Sequence, residues 1–252
     1  MFTPSSRLAL RDRLIDLARE DERITAAAIL GSGAEQREDR WSDIDLALRL
    51  AAGEDVADVA QSWTSLIREH GDVVAHLDLW VRGALYRVFV FADTLQVDLS
   101  FWTDESFAAH GPRFRLLFGD ANEPVPARPP GADELLGMAW LYALHVRSSI
   151  ARGRTWQAVY MLNAVREHAI QLACLRHDLP GNEGRGVDEL PPPLTRALAE
   201  TLPTSTDADE LQRAFGALTT LVVKEATYVD RELAERLDPL MTELVRSSQP
   251  GD

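Results

Sequence analysis

Residues 24–48 read ITAAAILGSGAEQREDRWSDIDLAL, and this stretch decides the fold. Its first seven residues, 24–30, form an apolar run of β-branched and small side chains, the composition of a buried strand. Gly31-Ser32-Gly33 ends the run with a chain-turning signal. A polar loop follows, and at residues 43–50 the chain alternates again. Ile44, Leu46 and Leu48 fall on one face of a strand, with Asp43, Asp45 and Ala47 on the other. Two aspartates at i and i+2 on a strand point the same way, so both face one site. Their oxygens form a hard-ligand pair suited to Mg²⁺, which also takes phosphate oxygens and water. The Gly-Ser turn lets backbone N–H groups and a hydroxyl come close to a triphosphate.

Working outward, residues 5–21 read as an amphipathic helix, with Ser5 or Ser6 as N-cap and Leu10, Leu14 and Leu17 at helical spacing. A second helix fits 54–70. Strands are expected at 76–81, 86–92 and 95–102, the last two joined by a hairpin at Asp93-Thr94. In the last strand Leu95, Val97 and Leu99 face one side, while Gln96, Asp98 and Ser100 face the other. A charge inside an apolar strand is costly unless paired or metal-bound. Asp98 therefore offers the third carboxylate of a metal site, or else pairs with an arginine such as Arg87 across the hairpin. Three convergent aspartates suffice for two metal ions, one activating an attacking hydroxyl and one steadying a leaving pyrophosphate.

These elements make a mixed α/β domain over residues 1–122. The Pro-rich segment EPVPARPPG (123–131) marks a boundary. Beyond it the pattern is helical over 132–152 and 155–178, then, after the loop LPGNEGRG, near 192–202 and 207–246. The fold class expected is α+β: a mixed sheet with flanking helices, followed by a helical bundle over 132–247.

Composition narrows the classes. The chain of 252 residues is long enough for a full core in one large domain or two modest ones. It has no run near the roughly 20 apolar residues of a membrane span. The N-terminus MFTPSSRLALRDRL carries too much charge to read as a signal peptide. One cysteine, Cys174, has no partner within the chain, so a reducing, cytoplasmic location is expected. The net charge of −14 argues against a nucleic-acid surface and a template-directed polymerase. It suits a cationic small molecule, or serves solubility alone.

On Gly31, Ser32, Asp43, Asp45 and Asp98 the sequence resembles the nucleotidyltransferase superfamily typified by DNA polymerase β. The signature of that superfamily is Gly-Ser or Gly-Gly, a spacer of about ten residues, Asp-x-Asp and a later lone Asp; residues 24–102 carry the match. The segment RGRTWQAVYMLNAVREHAIQLACLRHDLP (152–180) is similar to the helical-domain signature of the small-molecule branch, which includes aminoglycoside and lincosamide nucleotidyltransferases. The resemblance implies an enzyme of the EC 2.7.7 type, with ATP or another nucleoside triphosphate as donor, Mg²⁺ as cofactor and a small-molecule acceptor between two domains. An antibiotic acceptor follows from the resemblance alone.

In many members an Arg or Lys directly follows Gly-Ser, whereas here Gly33 does. Phosphate contacts are then expected from Arg37 or Arg40, or from Arg154, Arg147 and Arg166 in the helical domain. The resemblance also makes Glu167 a candidate general base beside Asp98, although a Glu next to the apolar stripe Val159, Leu162, Val165, Ala169 and Leu172 is commonly just solvated. Trp156 and Tyr160, at i and i+4, read as a core pair or as pocket lining. His145, His168 and His177 lack metal-binding spacing and read as structural, and Cys174 as a core thiol. Two other functions stay open: an antitoxin-type protein adenylyltransferase and a non-catalytic nucleotide-binding protein. No nucleic acid or membrane partner is expected, and the chain is read as a monomer or homodimer.

Overall fold

The computed structural model describes residues 1–81, 83–109, 111, 113–124 and 129–248. The chain divides into two compact units, Met1–Arg128 and Pro129–Asp252. Of the Pro-rich segment expected at the boundary, residues 125–128 lie outside the described residues.

The first unit begins with helix α1 (Pro4–Glu20). Its cap is Thr3, not Ser5 or Ser6: Thr3 Oγ1 accepts from the Ser6 N–H at 3.1 Å, and Ser6 Oγ accepts from the Thr3 N–H at 3.0 Å. This reciprocal box, with Pro4 in the first turn, starts the helix ahead of the expected residue. Strand β1 (Ile24–Leu30) leads into a single-turn helix α2 (Gly31–Ala34), then β2 (Ile44–Leu50) and helix α3 (Val56–Glu69). Strands β3 (Val73–Val81), β4 (Ala84–Phe91), β5 (Gln96–Trp102) and β6 (Phe114–Phe118) complete the unit.

The six strands form one sheet in the order β3-β4-β5-β2-β1-β6. Only β2 and β5 run parallel, and the remaining neighbours are antiparallel, so the sheet is mixed as expected. The β4–β5 hairpin turns through Asp93 and Thr94, with Thr94 at φ 76°. Period-two alternation sorts the side chains. Ile29, Leu46, Leu48, Phe89, Leu99 and Phe101 share a buried cluster with Leu14 of α1 and Trp63 and Ile67 of α3. The other face carries small residues, Ala26, Ala28 and Ala47, packed with Trp102 and Phe107. Strand β6, which the sequence reading did not assign, pairs with β1 at the sheet edge.

The second unit is helical: α4 (Ala132–Ala151), α5 (Thr155–Arg176), α6 (Pro192–Glu200), α7 (Ala208–Val229) and α8 (Arg231–Arg246), with short 3₁₀ turns at 182–184 and 187–189. The helix expected over 207–246 is broken at Asp230. That residue leaves helical geometry (φ −151°, ψ 109°), and its side chain accepts the Leu233 N–H at 2.9 Å, capping a new helix. Glu225 of α7, almost fully buried, accepts two 2.9 Å hydrogen bonds from Arg176 of α5, tying those helices together. Cys174 is buried in this core, and burial pushes its thiol up.

Trp156 and Tyr160 are 77% and 70% exposed, which corrects the core-pair reading. The buried stripe of α5 is Ala158, Leu162, Val165, Ala169 and Leu172. At 100° per residue Trp156 and Tyr160 sit roughly 160° from its centre, on the outer side of the helix. Among the described residues no helix is long and apolar enough to cross a membrane.

Candidate metal and nucleotide site

The site grows out of the parallel pairing of β2 and β5. In that register Asp45 lies beside Asp98, and Asp43 projects to the same side two residues earlier. Carboxylate oxygens of Asp43, Asp45 and Asp98 all lie within 4.8 Å of one another, and all three residues are half-buried. Around a six-coordinate ion with bonds of about 2.1 Å, ligand oxygens stand roughly 3–4.2 Å apart, so small side-chain adjustments bring the set to one cation. The donors are all oxygen and all anionic, which fits a hard divalent ion.

Burial pushes the Asp98 carboxyl up from 3.8 to about 6, with the Asp43 charge adding to the rise. Gln96 works against it, donating from Nε2 to the two Asp98 oxygens at 2.9 and 3.1 Å. Arg87 is not the partner of Asp98. It sits opposite Leu99, hence on the helix-covered face, where it holds Asp78 through two 2.6 Å bonds and donates to Thr64 Oγ1 at 2.9 Å. Side-chain parity on β4 and β5 puts the two residues on opposite faces of the sheet.

The Gly-Ser turn stands against the acids. Gly31 has φ 58°, and a Cβ there would collide with Asp45 Oδ2 and come within 3.4 Å of its Cγ. Only glycine satisfies both the left-handed backbone and this approach. Gly31→Ala is expected to lose about 1–2 kcal/mol of stability from the backbone alone and to displace the Asp45 carboxylate. Thermal melting combined with Mn²⁺ titration checks both effects. Ser32 follows, half-buried in α2. At Gly33 the packing is close: a Cβ there would meet Ile29 Cδ1 at 2.6 Å, so any side chain at that position requires the end of Ile29 to shift.

The loop from α2 to Asp43 is fastened from α1, which sequence reasoning missed. Arg7, buried, donates from Nη1 to the Asp39 carbonyl and, at 3.1 Å, to that of Ser42, the residue before Asp43. Arg7 and Arg11 both pair with Glu38, at 3.5 and 2.8 Å. The signal was available: Arg7 lies two turns before Leu14 on the apolar side of an amphipathic helix, where a charge needs partners.

The other expected residues have the following surroundings within their own units. Arg37 is exposed, its backbone N–H donating to the Ser32 carbonyl at 3.0 Å, and exposed Arg40 stacks over Trp41 at 4.2 Å. In the helical unit, Arg154 precedes α5, is exposed and reaches Gln157 at 3.4 Å. Arg166 is buried and donates to Thr201 Oγ1 and carbonyl at 2.8 and 2.7 Å and to Asn163, which commits it to the helical core. Arg147 is half-buried, with its Nε buried and unpartnered among the described residues. Glu167 is exposed on the same outer face of α5 as Trp156 and Tyr160, accepting from Gln171 at 3.3 Å. His168 stacks with Tyr142 and bonds the Ala164 carbonyl at 2.7 Å, a structural role.

No family model and no curated protein matches the chain. Solved structures similar to it include two that cover most of this chain. One is an aminoglycoside 6-adenyltransferase from Bacillus subtilis, with 14% identity, 92% of this chain and 96% of that one covered, and a TM-score of 0.42. The other is the GLD-2/RNP-8 complex, with 14% identity, coverage of 88% and 78%, and a TM-score of 0.34. Likenesses at this level transfer no residue role and no substrate to this chain.

Proposed function

We propose that the chain is a Mg²⁺-dependent nucleotidyltransferase of the EC 2.7.7 type that moves AMP from ATP onto a hydroxyl of a small molecule. The observation that carries this reading is the mutual approach of the Asp43, Asp45 and Asp98 carboxylates to within 4.8 Å, beside the turn at Gly31. Asp43, just before β2, and Asp45 on it would hold the cation, and Asp98 of β5 would complete the oxygen set. When bound, Mg²⁺ would neutralise phosphate charge on the donor and leaving group. Gly31 and Ser32 offer N–H groups and a hydroxyl to the β- and γ-phosphates. Arg37, exposed and five residues beyond Ser32, adds a cation to the same phosphates, and Arg154 of the helical unit is assigned a second.

In the transfer, the acceptor oxygen bonds to the α-phosphorus as the bond to the bridging oxygen breaks, and pyrophosphate departs. The hydroxyl proton passes to a carboxylate oxygen of Asp98. Glu167, exposed on α5, is the second candidate for that proton. Residues 1–122 form the catalytic domain in this reading, and 132–247 the acceptor-binding one. Catalysis rests on positioning and charge rather than on a covalent enzyme intermediate. The acidic chain suits a cationic acceptor, and an antibiotic would make the protein a resistance enzyme.

The test is incubation of the purified chain with Mg²⁺ and α-labelled ATP, together with aminoglycosides, lincosamides or lysate fractions. Label in a small-molecule product with release of pyrophosphate, lost in chelator, is the expected result. Label on a protein band would point to protein adenylylation instead. ATP binding unchanged by Asp43→Ala and Asp45→Ala, with no turnover in the parent, would defeat the catalytic reading.

A further inference from the structure

Strand β3 forms one edge of the sheet, paired with β4 on one side only. Eight of its nine residues are exposed. Val74, Leu77, Leu79, Trp80 and Val81 all stand in solvent, Leu77 at 57% and Trp80 at 63%. Edge strands are usually guarded by lysine, proline or strong twist, because their free main-chain groups template pairing with another chain. VVAHLDLWV contains no lysine, arginine or proline. Its one irregularity is a register shift at its start, between Val73 and Ala75.

We propose that β3 pairs antiparallel with β3 of a second copy of this chain, about a two-fold axis through Leu77, so that the two sheets become one. The sequence of the strand selects both the partner and the register. A two-fold axis normal to the sheet keeps each face continuous, so only residues of equal parity can lie opposite one another. Centred on Leu77, the pairing sets His76 against Asp78 of the copy and Ala75 against Leu79, the regular ladder beginning at Ala75. Leu77 meets its own counterpart. Apolar residues thus meet apolar ones, and the two polar residues meet as a donor–acceptor pair, imidazole to carboxylate, made twice by symmetry. The nearest alternatives that respect the faces are centred on His76 or Asp78. They set His76 against His76, or Asp78 against Asp78, like against like. Arg87, bonded to both Asp78 oxygens at 2.6 Å, keeps that carboxyl low, so Asp78 stands at the edge as a hydrogen-bond acceptor.

Exposed apolar side chains extend the surface beyond the strand. Val90 of β4 is exposed near the same edge, and Leu77, Leu79 and Val81 project to the face that carries Asp98, since Leu77 pairs with Val88 and Val88 with Asp98. The interface is independent of the catalytic reading.

Sedimentation of the full chain across the micromolar range tests the inference. The expected species has twice the chain mass of 28.0 kDa. Leu77→Lys places like charges on the axis and removes an apolar contact. It should weaken self-association at least about tenfold, with a melting temperature equal to the parent's at concentrations low enough that both are monomers, because residue 77 is exposed within the subunit. Register is read with cysteines, the one natural cysteine being buried. Leu77→Cys should form an intermolecular disulfide under mild oxidation, since directly opposed residues have Cα atoms about 4.5–5.5 Å apart. Leu79→Cys, opposite Ala75 of the copy, should not. A monomer at every concentration, a dimer indifferent to Leu77→Lys, or equal cross-linking of the two cysteine variants would each overturn the proposal.

Discussion

Asp45→Asn is expected to abolish nucleotidyl transfer while leaving the fold standing. Asp45 occupies the centre of the cluster: it lies beside Asp98 in the β2–β5 register, two residues from Asp43, and against the backbone of Gly31. Asparagine keeps the shape and removes one negative charge from a set of three. The apolar neighbours on β2, Ile44 and Leu46, are untouched and remain buried under α1 and α3. Removing one preorganised electrostatic partner commonly lowers kcat by about 10²–10³-fold. A ligand central to the cation and adjacent to the turn should fall at or beyond the upper end of that range. Steady-state kinetics together with calorimetric titration of Mg²⁺ provide the measurement. The binding curve matters as much as the rate, because it separates a lost cation from a misplaced phosphate. Turnover within tenfold of the parent, at unchanged Mg²⁺ affinity, would remove Asp45 from the metal site and the proposed chemistry with it.

The residues that set this centre were the most legible part of the sequence, for a physical reason. A strand buried on one face repeats every two residues, and an acid at the wrong parity is conspicuous there. Asp43, Asp45 and Asp98 stood out in this way, and the parallel pairing of β2 with β5 brings them together. Strand β6 was illegible because five residues with Arg115 inside them and two exposed leucine and arginine positions give almost no alternation. The break between α7 and α8 was hidden for the opposite reason: apolar periodicity runs on across Asp230, with no Gly or Pro to interrupt it, and only the capping side chain divides the helices. Pro239, which would have suggested an end, lies inside α8. The core-pair reading of Trp156 and Tyr160 failed because i, i+4 spacing identifies a shared face but not which face is buried. Nothing in the pattern of the helical unit identifies what its outer surface binds, so the roles of Glu167 and Arg154 rest on resemblance and on exposure alone.

Asp98→Asn should show the opposite balance to most substitutions, losing activity and gaining stability in the absence of metal. The Asp98 carboxyl is pushed from 3.8 up to about 6, chiefly by burial and then by the charge of Asp43. Between those values the folded protein therefore holds a proton that the unfolded chain has released. Proton linkage then requires stability to fall as pH rises from about 4 to about 6, and to stay lower above that window. Taken whole, the shift would be worth about 3 kcal/mol. The carboxylate is only half-buried, and solvent screening reduces the figure to about 1–2 kcal/mol. Asparagine at 98 carries no proton to release and no charge to repel Asp43. In chelator at neutral pH the variant should melt roughly 3–8 °C above the parent, and this gap should close as the pH is lowered towards 4. Saturating Mg²⁺ should reverse the order, because a cation that binds the folded parent more tightly than the variant stabilises the parent by mass action. Asp98 would then be a residue whose charge the fold tolerates at a cost because the cation needs it. Melting of the two proteins in chelator and in Mg²⁺, at several pH values, decides the matter. A variant less stable than its parent in chelator at neutral pH would mean that Asp98 is a structural acceptor for Gln96, and that its charge is not held in readiness for a metal.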